Sequence, residues 1–190
     1  MSATDAHPPA PDPREFRRVM GLFATGVAVV TAAVDARVHA MTANAVMSVS
    51  LDPLLVCVSV GKGARMNRFL EEAAGFALNI LAEDQEALSR YFAGMWQAAE
   101  PPPYRLEPWV GGPRLEGCLA SVGCARHQVV EAGDHRLFLG RVVALHRSQA
   151  PLRPLLFFAG AYHRLREPAH AARDPLEIWD PEAIRIYYGD

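Results

Sequence analysis

The chain has 190 residues, 51% of them hydrophobic and 21% charged, with a formal net charge of −2. That length supports one domain with a substantial core and is too short for two large ones. The near balance of 19 basic and 21 acidic residues argues against a nucleic-acid binder, which needs a dense basic face.

Fifteen prolines and 14 glycines imply many turns, and so β structure rather than a helical bundle. Residues 1–11 are small, polar and proline-rich, which marks a loose tail. Asp12-Pro13 then reads as a helix cap followed by proline in the first turn. Phe16, Val19, Met20 and Phe23 form one apolar stripe, with Arg14, Arg17 and Arg18 off it, as expected of a short amphipathic helix lying on a core. Gly26 ends that helix, and the β-branched run Val27–Thr31 reads as a buried strand. Asp35-Ala36 is the expected hairpin tip, and the chain returns through Val38 to about Met47. Asp52-Pro53 marks a turn before the strongest strand, Leu54–Val60.

Ala64–Glu72 is expected to be helical, Phe76–Leu81 a strand, and Glu83–Phe92 a second amphipathic helix with Ala87, Leu88 and Tyr91 spaced for burial. Residues 93–113, with Pro101-Pro102-Pro103, Pro108 and Gly111-Gly112-Pro113, read as a long surface loop of the kind that often carries function. Leu115–Val130, Leu137–His146 and Leu155–Phe158 supply further strands, the first two joined at Gly133-Asp134. About seven strands linked by short connections favour an antiparallel barrel over a doubly wound parallel sheet.

The three cysteines, Cys57, Cys118 and Cys124, contain no C-x-x-C pair and read as reduced, buried thiols. Residues 1–13 lack the basic and apolar regions of a signal peptide, and no apolar run reaches the roughly 18 residues of a membrane span. A soluble, cytoplasmic protein that binds neither nucleic acid nor membrane is therefore expected. Phosphate-cradling glycine loops, H-E-x-x-H and G-x-S-x-G are all missing from the sequence, and no metal site is expected.

Three features carry chemistry. The segment Met41–Pro53 places Thr42, Ala43, Asn44, Ala45, Ser48 and Ser50 where a simple core strand would have valine or isoleucine. It reads either as a solvated edge strand or as a strand whose backbone and short side chains line a flat polar ligand. Ser59-Val60-Gly61 runs into Lys62-Gly63-Ala64-Arg65 at a helix start, which is either an anion site or two solvated basic residues. Gly133-Asp134-His135 is a turn with a titratable histidine beside it.

Taken together, these residues resemble the flavin reductase-like family, the small reductase partners of two-component flavin monooxygenases. The resemblance rests on Phe16–Thr31, on Thr42-Ala43-Asn44-Ala45 with Ser48–Pro53, and on Asn79-Ile80-Leu81, Gly133-Asp134-His135 and Pro154–Tyr162, in that order over roughly residues 14–164. It implies a mainly β fold, a split antiparallel β-barrel with a few short helices, spanning residues 13–164. Residues 1–12 would be a disordered tail, and residues 165–190 an extension packed on the domain or on a dimer partner.

The resemblance further implies a homodimer with flavin near the subunit interface. Thr42, Asn44 and Ala45 would border the isoalloxazine, and Ser59, Val60 and Gly61 would follow it along the next strand. Arg65 and Met66 would sit at the flavin phosphate end, closed by Phe92. His135, Tyr162 and the stretch before Thr42 would meet the nicotinamide nucleotide.

The implied activity is hydride transfer from NADH or NADPH to FMN or FAD, with transient delivery of the reduced flavin to a separate oxygenase. His135 is expected to orient the nicotinamide nucleotide rather than to transfer protons. The alternatives are a protein that keeps FMN tightly bound and acts on a small organic substrate, and a flavin-binding module without turnover. This chain departs from the family pattern at Ala45, where serine is more frequent, at Leu54, where a second proline is frequent, and in the Met95–Pro103 loop.

Overall fold

A computed structural model describes residues 10–150 and 152–165. The expected tail, for residues 1–9, and the expected C-terminal extension beyond residue 165 lie outside the described residues.

The first helix, α1 (Pro13–Met20), starts as its sequence dictates: the Asp12 carboxylate accepts the Arg14 N–H at 3.2 Å, with proline in the first turn. Its packing differs from expectation. None of its residues is buried, and Phe16 (61% exposed), Val19, Met20 and the following Phe23 (70% exposed) present their stripe outward. Among the described residues the core is already filled by strands and by another helix, and none of them covers the α1 stripe.

Twelve strands follow: β1 (Thr25–Gly26), β2 (Ala28–Val34), β3 (Arg37–Ala43), β4 (Val46–Leu51), β5 (Leu54–Gly61), β6 (Gly75–Ile80), β7 (Leu106–Glu107), β8 (Arg114–Leu115), β9 (Ala120–Ala132), β10 (His135–Arg147), β11 (Leu155–Phe158) and β12 (Ala161–Arg164). Two further helices, α2 (Met66–Glu72) and α3 (Glu86–Phe92, entered by a 3-10 turn over Glu83–Gln85), complete the elements among the described residues. Asp35 turns the β2–β3 hairpin at φ 54°.

The expected single return from Val38 to Met47 is two strands, broken at Asn44-Ala45. The expected start of a strand at Leu115 belongs to the small β7–β8 pair, and β9 begins at Ala120. In α3, Leu88 and Ser89 are buried, whereas Ala87 and Tyr91 are half-buried.

All pairings among the described residues are antiparallel. The main sheet has seven strands in the order β3-β2-β6-β9-β10-β5-β4. Its two edges, β3 and β4, are consecutive in the chain and joined only by Asn44 and Ala45. Such a link reaches at most about 11 Å, so the sheet must curl until its edges meet. The result is a barrel split between β3 and β4, which is the expected architecture.

The barrel interior holds Val30, Ala32, Val58, Val60, Phe76, Leu78 and Phe138, and α2 plugs it with Met66, Phe69 and Leu70. A second apolar layer lies on the other side of β2 and β3, where Val27, Val29, Leu81, Leu88, Leu115 and Leu155 pack under α3 and the β11–β12 hairpin. Burial of these side chains is the main force holding both layers.

Between the layers sits Asn79, with no exposed surface. Its amide nitrogen donates to Val29 O and Thr31 Oγ1 (3.1 Å each), and its oxygen accepts from Leu115 N (2.9 Å) and Ser121 Oγ (3.0 Å). A buried amide satisfied on both sides fixes the register of the strands it joins.

The expected surface loop 93–113 is pressed onto the sheet at its end. A Cβ on Gly112 would lie 2.6 Å from Thr31 O, and one on Gly123 would lie 2.3 Å from Val110 O. Only glycine lets these backbones approach so closely. No helix among the described residues is long and apolar enough to cross a membrane.

Candidate functional site

The split in the barrel positions the site. At the β3–β4 break, Ser59 N donates to Ala45 O at 3.0 Å, tying the break to β5. Asn44 is exposed, and its amide reaches Thr25 Oγ1 at 3.3 Å. A cavity of about 330 Å³ opens here, lined by Thr25, Gly26, Ala28, Ala43, Asn44 and Val46 among others. Its walls combine small residues with the apolar Phe23, Val27, Val46 and Ile80, and an amide and a hydroxyl stand at the rim. This arrangement suits a flat ring with polar edges.

Along β5 the line continues to Gly61, which pairs in register with His135 on β10. The Lys62 N–H donates to Asp134 O at 2.9 Å, closing the Gly-Asp-His turn onto the end of β5. His135 Nδ1 lies 2.7 Å from Asp134 Oδ1. That hydrogen bond, followed by the charge of the imidazole, holds the Asp134 carboxyl below its ordinary range, and Arg17 of α1 adds to the effect. In the neutral ring, a carboxylate on Nδ1 selects the tautomer with the proton there and leaves Nε2 as an acceptor. Nε2 would lie 3.6 Å from a Cβ placed on Gly61, so the free face of the imidazole looks along β5.

The basic residues at the start of α2 divide. Lys62 Nζ is engaged by Glu131 at 2.7 Å. Arg65 has no carboxylate within ion-pair distance among the described residues, and its guanidinium lies 5.6 Å from the Phe69 ring centre. It is therefore free to meet an anion.

The sequence-selected residues thus fall into groups. Asn44, Ala45 and Ser59 meet at the break, and Gly61 and His135 form a corner farther along β5, with Lys62 and Arg65 following Gly61 in the chain. Ala43, Val60 and Met66 belong to the barrel core, Val60 and Met66 being 1% and 0% exposed, while Ala43 also lines the cavity at the break. Thr42 Oγ1 donates to Ser89 O at 2.7 Å, Ser89 Oγ lies 2.8 Å from Tyr162 Oη, and Arg90 stacks on Tyr162 at 4.9 Å. Thr42 and Tyr162 therefore brace α3. Phe92 lies in the second apolar layer, edge-on to Tyr104. Ser50 Oγ accepts from Asp52 N at 3.2 Å and shapes the β4–β5 turn, while Ser48 is exposed farther along β4.

Thr25, Gly26 and Asp134 are site residues that the sequence reading quoted only as parts of motifs. Their signal was adjacency to Val27 and to His135, and nothing local showed that Thr25 would meet Asn44.

The remaining titratable groups are poor candidates for covalent chemistry. Burial pushes the thiols of Cys118 and Cys124 up to about 12, and Cys57 rises for the same reason. Among the described residues, no group of three or more His, Cys, Asp or Glu could hold a metal ion.

The donor set therefore fits a flavin. Small residues and the Asn44 amide would take the ring, and an unpaired guanidinium would take the phosphate. The chain matches the flavin reductase like domain over residues 20–166. It is 41% identical over 165 residues to the NADH-dependent FMN reductase AsuE2 of Streptomyces nodosus subsp. asukaensis, covering 83% of this chain and 88% of the relative. It is 38% identical over 176 residues to an NADH-dependent FAD reductase of Streptomyces globisporus, covering 87% and 96%. The solved structure of the styrene monooxygenase flavin reductase from Pseudomonas putida S12 superposes with a TM-score of 0.73 at 39% identity, covering 80% of this chain and 98% of that one. The chain belongs to the flavin reductase-like family.

Proposed function

We propose that the protein is an NAD(P)H-dependent flavin reductase that passes reduced FMN or FAD to a separate oxygenase. The observation that carries this reading is the slot at the β3–β4 break with Asn44 and Thr25 on its wall, together with the Gly61–His135 corner farther along β5 and Arg65, which has no carboxylate within ion-pair distance among the described residues. The flavin, when bound, supplies the electron sink for a hydride from the nicotinamide. The protein's part is to hold the two rings face to face, which needs no side-chain acid or base. Asn44 and Thr25 orient the ring edge, Arg65 anchors the phosphate, and His135, held by Asp134, positions the nicotinamide nucleotide. The relatives' names support this reading: they specify NADH with FMN or with FAD, and one structure is the reductase of a monooxygenase.

The same reading makes the protein a homodimer. The apolar stripe on α1 and the exposed Met47, Val49, Leu51 and Leu54 of β4 and β5 are large apolar side chains left open to solvent, as at an interface. A second copy covering them would also wall the slot. The free, buried cysteines suit a reducing compartment such as the cytoplasm.

The test is oxidation of NADH and of NADPH with added FMN and with added FAD. Turnover is expected with at least one pair. Asn44→Ala combined with Arg65→Ala should weaken flavin binding at least tenfold, and His135→Ala should raise KM for the nicotinamide nucleotide more than for flavin. No turnover with any pair, unchanged flavin affinity in the double variant, or the reverse KM pattern would contradict the assignment.

A further inference from the structure

Asn67 is a buried polar side chain close in sequence to Arg65 that the proposed reaction leaves unused. It is the second residue of α2 and only 5% exposed. Its amide nitrogen donates to Gly61 O. That contact sets which way the amide faces, because a carbonyl can only accept. Its oxygen is buried and meets no hydrogen-bond partner among the described residues. Asn79, by contrast, is satisfied on both sides. A buried amide with one half unpaired is a poor device for stability, since the orphaned acceptor offsets what the single bond contributes. What Asn67 achieves therefore lies in its bond to Gly61.

Gly61 O is a junction of the local backbone. The same oxygen accepts the Ala64 N–H at 2.9 Å, closing the turn from Gly61 to Ala64, and the Asn67 N–H donates to Ala64 O at 3.1 Å. Gly61 stands opposite His135 on β10, and the next N–H, that of Lys62, is held by Asp134 O. Between β5 and α2, however, Lys62, Gly63 and Arg65 are exposed, and a Cβ on Gly63 would meet nothing within 4 Å. Packing does not hold the tip of this turn, and the glycines at 61 and 63 give its backbone wide freedom. Asn67 ties the helix end of the turn back to its strand end, and Arg65 lies between the two.

We propose that Asn67 is a positioning residue for flavin binding: by holding Gly61 O it fixes the turn from Gly61 to Arg65, so that the Arg65 guanidinium is presented to the flavin phosphate. This rests on the flavin reductase reading above, with Arg65 as the partner of the phosphate. The buried Asn67 side chain has no direct access to a ligand, so its effect passes through Arg65. A guanidinium–phosphate contact is directional, with two parallel N–H donors matched to two oxygens, and a turn that wanders forfeits much of it. The flavin ring is held elsewhere, at the β3–β4 break. Riboflavin, which carries the ring without a phosphate, is therefore indifferent to Asn67.

The test is equilibrium binding of FMN and of riboflavin, followed by flavin fluorescence, to the wild type, Asn67→Ala, Arg65→Ala and the double variant. Wild type should bind FMN more tightly than riboflavin. Asn67→Ala should lose about tenfold for FMN, the scale of a hydrogen bond to a charged group, with riboflavin unchanged, and should lose nothing further in the Arg65→Ala background. Asn67→Asp, close to the native side chain in shape, gives a second readout if Asn67→Ala does not fold. Its carboxylate cannot donate to Gly61 O but its protonated form can, and burial favours the protonated form. Relative to wild type at the same pH, its FMN binding should be weak in mildly alkaline solution and recover in mild acid. Equal loss for FMN and riboflavin, no loss for FMN, losses that add in the double variant, an Asn67→Asp defect independent of pH, or failure of both variants to fold would overturn the positioning role. A wild type that binds FMN no better than riboflavin would instead overturn the placement of the phosphate at Arg65, and one that binds neither would overturn the flavin reading itself.

Discussion

Asn79 shows how much one side chain can decide. It closes four hydrogen bonds in a site without solvent, and each partner left unpaired there costs about 1–3 kcal/mol. Asn79→Ala should therefore destabilise the fold by about 2–4 kcal/mol, seen as a fall in Tm of roughly 5–15 °C. A change within measurement error would mean that the network is dispensable.

His39 gives a pH signature. Its folded-state pKa lies below that of the unfolded chain, so the unfolded state binds more protons as the solution is acidified. Burial keeps it neutral first, and the charge of Arg65 adds to the effect. The stability contribution is present above the ordinary value of 6.5 and is lost as pH falls from there toward the lowered value. Thermal melts at neutral and mildly acid pH should show a smaller acid loss for His39→Gln than for the wild type; an equal loss would remove His39 from the account. At this scale the sequence made Asn44, Arg65 and His135 visible by chemistry and motif. It could not show that Thr42 and Tyr162 are turned toward Ser89, because that depends on how α3 crosses β3.

Among the elements, the strands were legible because β-branched runs and turn residues bound them, as at Leu54–Gly61 and at Gly133-Asp134. The break at Asn44-Ala45 was not legible, since neither residue forces a break. It arises because the chain must cross from one sheet edge to the other. The two-residue strands, such as β1 and β8, were also hidden, being made by their partners rather than by their own pattern.

The 93–113 segment looked like a free loop, yet its end is a strap set on glycine contacts. Gly112→Ala forces a Cβ within 2.6 Å of Thr31 O and 2.7 Å of Ala77 N, both backbone atoms that cannot yield separately. The strap should lift, and limited proteolysis should cut within 93–113 in the variant far faster than in the wild type. Equal resistance would show that the strap can be seated without this close approach.

For the whole molecule, the architecture follows from one constraint, that a two-residue link joins the outer strands of a seven-stranded sheet. Closure makes the barrel, and the imperfect join makes the slot. The α1 stripe is apolar as expected but faces outward rather than onto the core, because an apolar pattern does not say which surface covers it. If a second copy does, Phe16→Asp with Phe23→Asp should halve the mass seen by light scattering. A wild type that is already monomeric would contradict the dimer.

The central claim is that flavin is a passing substrate of this slot. It is tested most directly by anaerobic reduction of excess FMN or FAD with NADH and a small amount of protein, following the flavin's visible absorption. The account predicts bleaching of many flavins per protein, one nicotinamide consumed for each. Bleaching that stops at one flavin per protein, or that never exceeds the protein-free rate, would contradict it.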